Sequence, residues 1–239
     1  MDRKIQLQIF QAQTQNVRAL EKSWHQLKRT INSELANNQL LSAKNHSKLL
    51  ALIFCAWSEA NFHKLIHTPH GFELNEIDQI KAISSSNIVD GWKKCLEIGL
   101  SKISPTSKSS YKPNIKKNIE NIIDRYVSTP RLVRNKIAHG QWAVALNRDN
   151  NALNPTLTKE IDDIDIVKLD IWFDAYKSLS NIIESMIESP TRTFHRDYWI
   201  ETTQIQEKLL QKEKWSLSTK ISQLQYKKSH PLSIKKPSS

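Results

Sequence analysis

Three observations predict an all-α fold for this 239-residue chain. Glycine is scarce, at four residues in all. Leu, Ile, Lys, Gln and Glu are abundant, and most of them are good helix formers. Apolar residues recur at helical spacing over long stretches free of proline. A hydrophobic fraction of 38% is modest but enough for a real core. The length suits one large domain or one domain plus an appendage. We place the domain over 1–200, its core over about 40–190, and a C-terminal helix end with a basic tail over 201–239.

The elements follow in order. Ile5, Ile9, Leu20, Trp24, Leu27 and Ile31 predict one long N-terminal amphipathic helix, or two in line, over 4–37, closed by Asn37-Asn38. A second helix is predicted from about Asn45 to His67. Its centre, Leu49–Trp57, is apolar on nearly every side and belongs in the middle of the fold. Thr68-Pro69-His70-Gly71 ends it. Shorter helices are predicted over 74–83 and 87–103, parted by Ser84-Ser85-Ser86. Ser104–Pro113 reads as a mobile basic loop, and 114–127 as a helix. Thr129 and Pro130 then suit the N-cap and first position of a new helix, and Gly140 its left-handed C-cap. Residues 142–146 and 151–157 flank a polar turn and read as a short hairpin-like excursion. Asp163 or Asp165 caps a strong amphipathic helix over about 166–187. A last helix over 195–215 precedes a Lys-, Ser- and Gln-rich tail that reads as loosely ordered from Ser216.

Composition narrows the function classes. The net charge is +11 and the pI about 9.6. Such a balance suits a polyanion, nucleic acid or an anionic membrane surface, although a solvated Lys-rich exterior has the same composition. Cys55 and Cys95 lie in apolar helical stretches without CxxC spacing, so they read as buried free thiols in a reducing cytoplasm. Met1–Lys4 leads into a Gln-rich helix rather than a signal core, and Leu49–Trp57 is too short to span a bilayer. No phosphate-cradling glycine loop and no Gly-x-Ser-x-Gly elbow occur. These readings predict a soluble cytoplasmic protein without a membrane role.

The chemistry-bearing stretch is Arg134-Asn135-Lys136-Ile137-Ala138-His139-Gly140. It sets a permanent cation, an amide and an imidazole within two helical turns. Histidine exchanges protons near neutral pH, and arginine grips phosphate bidentately. At about 100° per residue, Arg131, Asn135 and His139 share a stripe. Arg134 lies about 140° from His139, so one regular helix does not aim both at a single phosphate. Either the helix ends at His139 and the imidazole swings in, or two copies face each other across a two-fold axis. A helix C-terminus with a dipole-stabilised histidine would present the same residues.

This stretch resembles the Arg-polar-x-x-x-His signature of HEPN-domain ribonucleases, and the helical order over roughly 40–190 is similar too. The resemblance implies an all-α, often dimeric domain that cuts RNA without a metal or other cofactor. It leaves 2′,3′-cyclic phosphate and 5′-OH ends. It implies His139 as general acid/base, Arg134 as the stabiliser of phosphoryl charge, and Asn135 as a phosphate ligand or an orienter of His139. It implies work in antiphage defence or as a toxin, with an antitoxin or defence partner. A HEPN-like subunit that binds nucleic acid without cutting is the first alternative. A structural helical protein held to partners by its N-terminal helix is the second.

The supporting candidates are read as follows. Glu59 either pairs with Arg134, or orients His139, or sits on an exposed edge. Arg131 and Lys136 suit substrate phosphates. Trp142 covers the cleft or stacks on a base, or else packs under the excursion. His63 and His67 share a face at metal-ligand spacing with His70 nearby, but no carboxylate or cysteine completes a set, and surface histidines flanking a helix end are the commoner arrangement. The tail lysines, Lys208 to Lys236, grip an RNA backbone or merely keep the tail soluble.

Overall fold

The apolar run Leu49–Trp57 sets the centre of the fold. In the computed structural model, which describes residues 2–104, 110–191, 194–196, 198, 200–203, 207 and 214–230, this run lies mid-way along α2 (Leu40–Ile66). Helix α1 (Arg3–Ala36) starts where the Asp2 side chain accepts the Ile5 amide at 2.8 Å. It ends at Asn37 and Asn38, the latter at φ 60°. The three-residue link lets α1 and α2 pack along each other. Their shared core is aromatic. Trp57 stacks on Phe173 at 4.2 Å between ring centroids, Phe173 stacks on Trp24 at 4.6 Å, and Phe54 abuts Trp24, Trp57 and Tyr176.

Helices α3 (Leu74–Ser84) and α4 (Ile88–Lys102) form the next layer. Glu73 and Glu76 build a capping box on α3, and Asn87 caps α4 through the Val89 amide. The two helices close tightly at Gly91. A Cβ there would stand 2.5 Å from the Ser84 Cβ and 3.0 Å from the Phe62 ring. Helix α5 (Tyr111–Ile123) buries Ile115, Ile119 and Ile123. It passes through a π-turn (Asp124–Ser128) into α6 (Thr129–Ala138). Helix α8 (Ile166–Glu188), capped by Asp165 on the Val167 and Lys168 amides, carries the largest share of buried residues.

The structure corrects several sequence expectations. No break separates α5 from α6, and Thr129 is helical rather than a cap, with φ −61° and ψ −50°. Pro130 has no N–H to return to Tyr126, and the chain widens into a π-turn just ahead of it. The hairpin-like excursion is a single antiparallel bridge, Leu146 to Leu153. What read as its second arm opens α7 (Pro155–Asp162), with Asn154 as N-cap and Pro155 at the first position. The tail that read as loosely ordered from Ser216 contains α9 (Leu217–Ser229), capped by Ser216. Leu217, Ile221 and Leu224 of α9 pack on the core, and the helix lies against α1. Residues 231–239, with Lys235 and Lys236, lie outside the described residues, as do Lys208 and Lys212. So does most of the expected 195–215 helix, although 194–196, 198 and 200–203 are helical. The basic loop keeps only Ser104 and Ser110 among the described residues, and Pro113 belongs to the first turn of α5.

Among the described residues one helix, Leu40–Ile66, is long and apolar enough to cross a membrane by length and composition. Of its most apolar window, 56% is buried inside the fold, as befits the central helix of a bundle.

Candidate functional site

Helix α6 meets α2 at Glu59. Arg134 donates from Nη2 to Glu59 Oε1, closing an ion pair between the motif and the central helix. Both side chains are partly exposed, the guanidinium 30% and the carboxylate 44%. Of the partners open to it, Glu59 therefore takes Arg134. The turn of α2 beneath is fixed by buried hydrogen bonds. Trp92 Nε1 donates to the Tyr176 hydroxyl at 3.1 Å, and that hydroxyl donates to the Ser58 carbonyl at 2.6 Å. Burial pushes the Tyr176 phenol well above its ordinary range, so it stays a neutral donor.

This pair borders a groove of about 440 Å³ between α2, α3, the α3–α4 turn and α6. Its charged walls are Arg131, Arg134, Lys81 and Glu59, three cations against one carboxylate. Asn135, His63 and the three hydroxyls Ser84, Ser85 and Ser86 complete the polar lining. Neither Arg131 nor Lys81 is spent on an ion pair among the described residues. The Nε groups of Arg131 and Arg134 are buried without a hydrogen-bond acceptor. On their inner side lies a small void of about 20 Å³ touched by Cys55, Tyr126 and Pro130.

The cysteines themselves are inert. Burial pushes the Cys55 thiol up to about 12, with the Arg134 guanidinium pulling the other way, and raises Cys95 further still. Both thiols are expected to resist a thiol reagent such as DTNB in the native protein and to react fully once it is unfolded. Stoichiometric labelling of the folded chain would contradict their burial.

The motif's remaining members are not brought to the groove. His139 is the C-cap of α6 and is exposed. The helix closes with the Gln141 amide on the Lys136 carbonyl (2.9 Å) and the Gly140 amide on the Ile137 carbonyl (3.1 Å). That closure requires the left-handed φ of 78° at Gly140. The helix stays regular through Ala138 with Arg134 facing α2, so the offset between positions 134 and 139 leaves His139 outside the groove lining. Lys136 does not face substrate space either. Its Nζ donates to the Leu146 carbonyl at 2.6 Å and the Asn147 carbonyl at 3.3 Å, clipping the excursion down. Trp142 is a packing residue. Its Nε1 donates to the Ile137 carbonyl at 3.0 Å, and its own carbonyl accepts Lys48 Nζ at 2.6 Å.

The histidine cluster separates. His67 donates from Nδ1 to the His63 carbonyl at 2.7 Å and is buried, whereas His70 is exposed at φ 62°. Among the described residues no group of three or more His, Cys, Asp or Glu side chains stands together as a metal site. His63 alone of the three faces the groove. Sequence reasoning assigned it no part beside Arg134; its only signal was its position one helical turn after Glu59.

A second cavity, about 470 Å³, lies between α1, α2, α8 and α9. Aliphatic residues, Ser47, Lys44 and three aspartates line it, so its charged lining is net negative. Asp165 is occupied in capping α8 and Asp162 in an ion pair with Lys44. Carboxylates of that number repel a polyanion, so the basic groove is the better candidate. No family model, no curated protein and no solved structure matches this chain.

Proposed function

We propose that the chain is a HEPN-type endoribonuclease that cuts RNA without a metal, its complete site formed where two copies meet. The observation that carries this reading is the cationic groove in which Glu59 fixes the Arg134 guanidinium beside Arg131 and Lys81. An arginine so anchored holds its remaining donors ready for phosphoryl oxygens before substrate arrives. In the reaction the 2′-oxygen attacks the adjacent phosphorus and the bond to the 5′-oxygen breaks. The products are a 2′,3′-cyclic phosphate and a 5′-OH. Arg134 stabilises the charge that builds on the non-bridging oxygens, and Asn135 holds the phosphate. His139 exchanges protons from the facing copy.

The outward stripe of α6 supports self-association. Leu132, 44% exposed, shares that stripe with His139 seven residues on. Val144 and Leu153 in the excursion that follows are 48% and 69% exposed. Action in defence or growth arrest, with a neutralising partner, rests on the resemblance of the motif.

Incubating the purified chain with total RNA and EDTA tests the activity. Wild type is expected to cut and His139→Ala to be inactive. Mixing Arg134→Ala with His139→Ala tests the shared site. A mixed dimer regains one intact pair, so the mixture is expected to recover about a quarter of wild-type activity. Recovery of none, with wild type active, would place the whole site in one chain.

The position of His139 outside the groove favours a second reading, a HEPN-like subunit that binds RNA without cutting it. RNA binding with no product in the wild type decides for this one.

A further inference from the structure

We infer that His63, not part of the Arg-to-His motif, is a proton-transfer residue of the groove, taking the 2′-hydroxyl proton while Arg131 and Arg134 hold the phosphate. The inference rests on the ribonuclease reading above and adds a residue to it. Three observations carry it. First, His63 lines the same groove as Arg134, Arg131 and Asn135, whereas His139 does not. Second, position 63 lies one helical turn after Glu59 on α2, and Glu59 is the residue that anchors Arg134. The imidazole and the carboxylate that anchors the guanidinium are thus set on one wall by one helix. Third, the ring is half-buried, meets the Phe62 ring edge-on at 5.7 Å, and has no hydrogen-bond partner for either nitrogen among the described residues. A half-buried imidazole with neither nitrogen bonded to a described residue, lining the same groove as Arg131 and Arg134, is equipped to accept a proton.

The surroundings favour the neutral form. Burial pushes the His63 imidazole down from its ordinary value and Lys81 adds to this, while Glu59 opposes both. The charged or titratable groups around it are Glu59 and His67 on its own helix, Lys81 on α3, and Arg131 and Arg134 on α6. Helix α4 contributes only Ile88 to this wall.

The step balances without an outside reagent. A His63 ring nitrogen takes the proton as the 2′-oxygen bonds to phosphorus. The bond from phosphorus to the 5′-oxygen then breaks, and that oxygen takes a proton from His139 of the partner subunit. The two imidazoles return to their starting forms by proton exchange with water.

The test measures kcat/KM on a short fluorogenic RNA across pH for wild type, His63→Gln, His63→Ala and His139→Ala, with affinity for a 2′-deoxy analogue and circular dichroism on each. Both His63 variants are expected to stay folded and to bind the analogue within about threefold, and to lose about 10²–10⁴ in rate. The acidic limb of the wild-type profile should vanish in them. Added imidazole should restore part of the rate to His63→Ala. Wild-type rates in both variants, with His139→Ala inactive, overturn the inference and leave the ribonuclease reading standing. A slower variant with an unchanged pH profile and no imidazole rescue gives His63 a structural role and also overturns it. No product from wild type under any condition removes the ribonuclease reading itself.

Discussion

Arg134→Ala is expected to lower kcat for RNA cleavage by about 10²–10³, the cost of removing one preorganised donor to a developing oxyanion. The fall should not reflect unfolding. The Arg134–Glu59 pair is partly solvated on both sides, so its loss costs about 0–1 kcal/mol of stability. Arg134→Lys should recover little, because an ammonium is a point charge and cannot bond Glu59 and a phosphate through one planar fork. Glu59→Gln separates anchoring from charge. It leaves the guanidinium in place but loosens its orientation, and it removes the one carboxylate among the groove's described lining residues. RNA binding should therefore hold or tighten while kcat falls by less than in Arg134→Ala. Rapid-quench kinetics with a parallel binding measurement resolve the two effects. An Arg134→Ala protein that cuts at the wild-type rate would remove the guanidinium from the mechanism.

The largest stability effect should come two residues before Glu59. Trp57 is 1% exposed, stacked on Phe173 and edge-on to Tyr176 at 5.4 Å. Truncating it to alanine empties the junction of α2 and α8 and should cost about 3–5 kcal/mol. For a chain of this size that is a fall in Tm of about 6–20 °C, taking roughly 2–4 °C per kcal/mol. Trp57→Phe should cost much less. It keeps a ring against Phe173, and the indole Nε1 that it deletes has no hydrogen-bond partner among the described residues. Thermal melts of the two variants beside wild type check this. A loss under about 1 kcal/mol for Trp57→Ala would show that the aromatic cluster is not the keystone of the core.

Local chemistry made much of the fold legible. Helices α1, α3, α4 and α8 fall within a few residues of their sequence-predicted spans. Each begins at a side-chain cap, at Asp2, Glu73, Asn87 and Asp165, of which only Asp165 was among the caps read from the sequence; the other three helices were placed by apolar spacing and breakers. Such caps act within four residues and need no tertiary partner. The start of α7 carried the same kind of signal in Asn154-Pro155, but the alternating apolar residues beside it suggested a strand. Helix α9 was obscured by its Lys, Ser and Gln content, although Leu217, Ile221 and Leu224 keep helical spacing. Its helicity owes more to docking on α1 than to its own composition. The π-turn was invisible because Pro130 fits a helix start equally well.

The site divides along the same line. The angular offset of Arg134 from His139 follows from helical geometry alone, and so does the shared stripe of Arg131 and Asn135. Glu59 had several open partners until α2 and α6 were packed. Lys136 and Trp142 were taken up by the excursion, whose path no local pattern fixes.

The order of residues by itself determined an all-helical chain, its central apolar helix, its positive charge and the angular spread of the motif, because each follows from the period of one helix or from a sum over residues. Tertiary structure alone decided that Glu59 holds Arg134, that the α3–α4 turn walls a cationic groove, and that His63 rather than His139 looks into it. Those facts depend on how helices distant in sequence are set against one another by the shapes of their buried side chains, which no pattern within a single helix encodes.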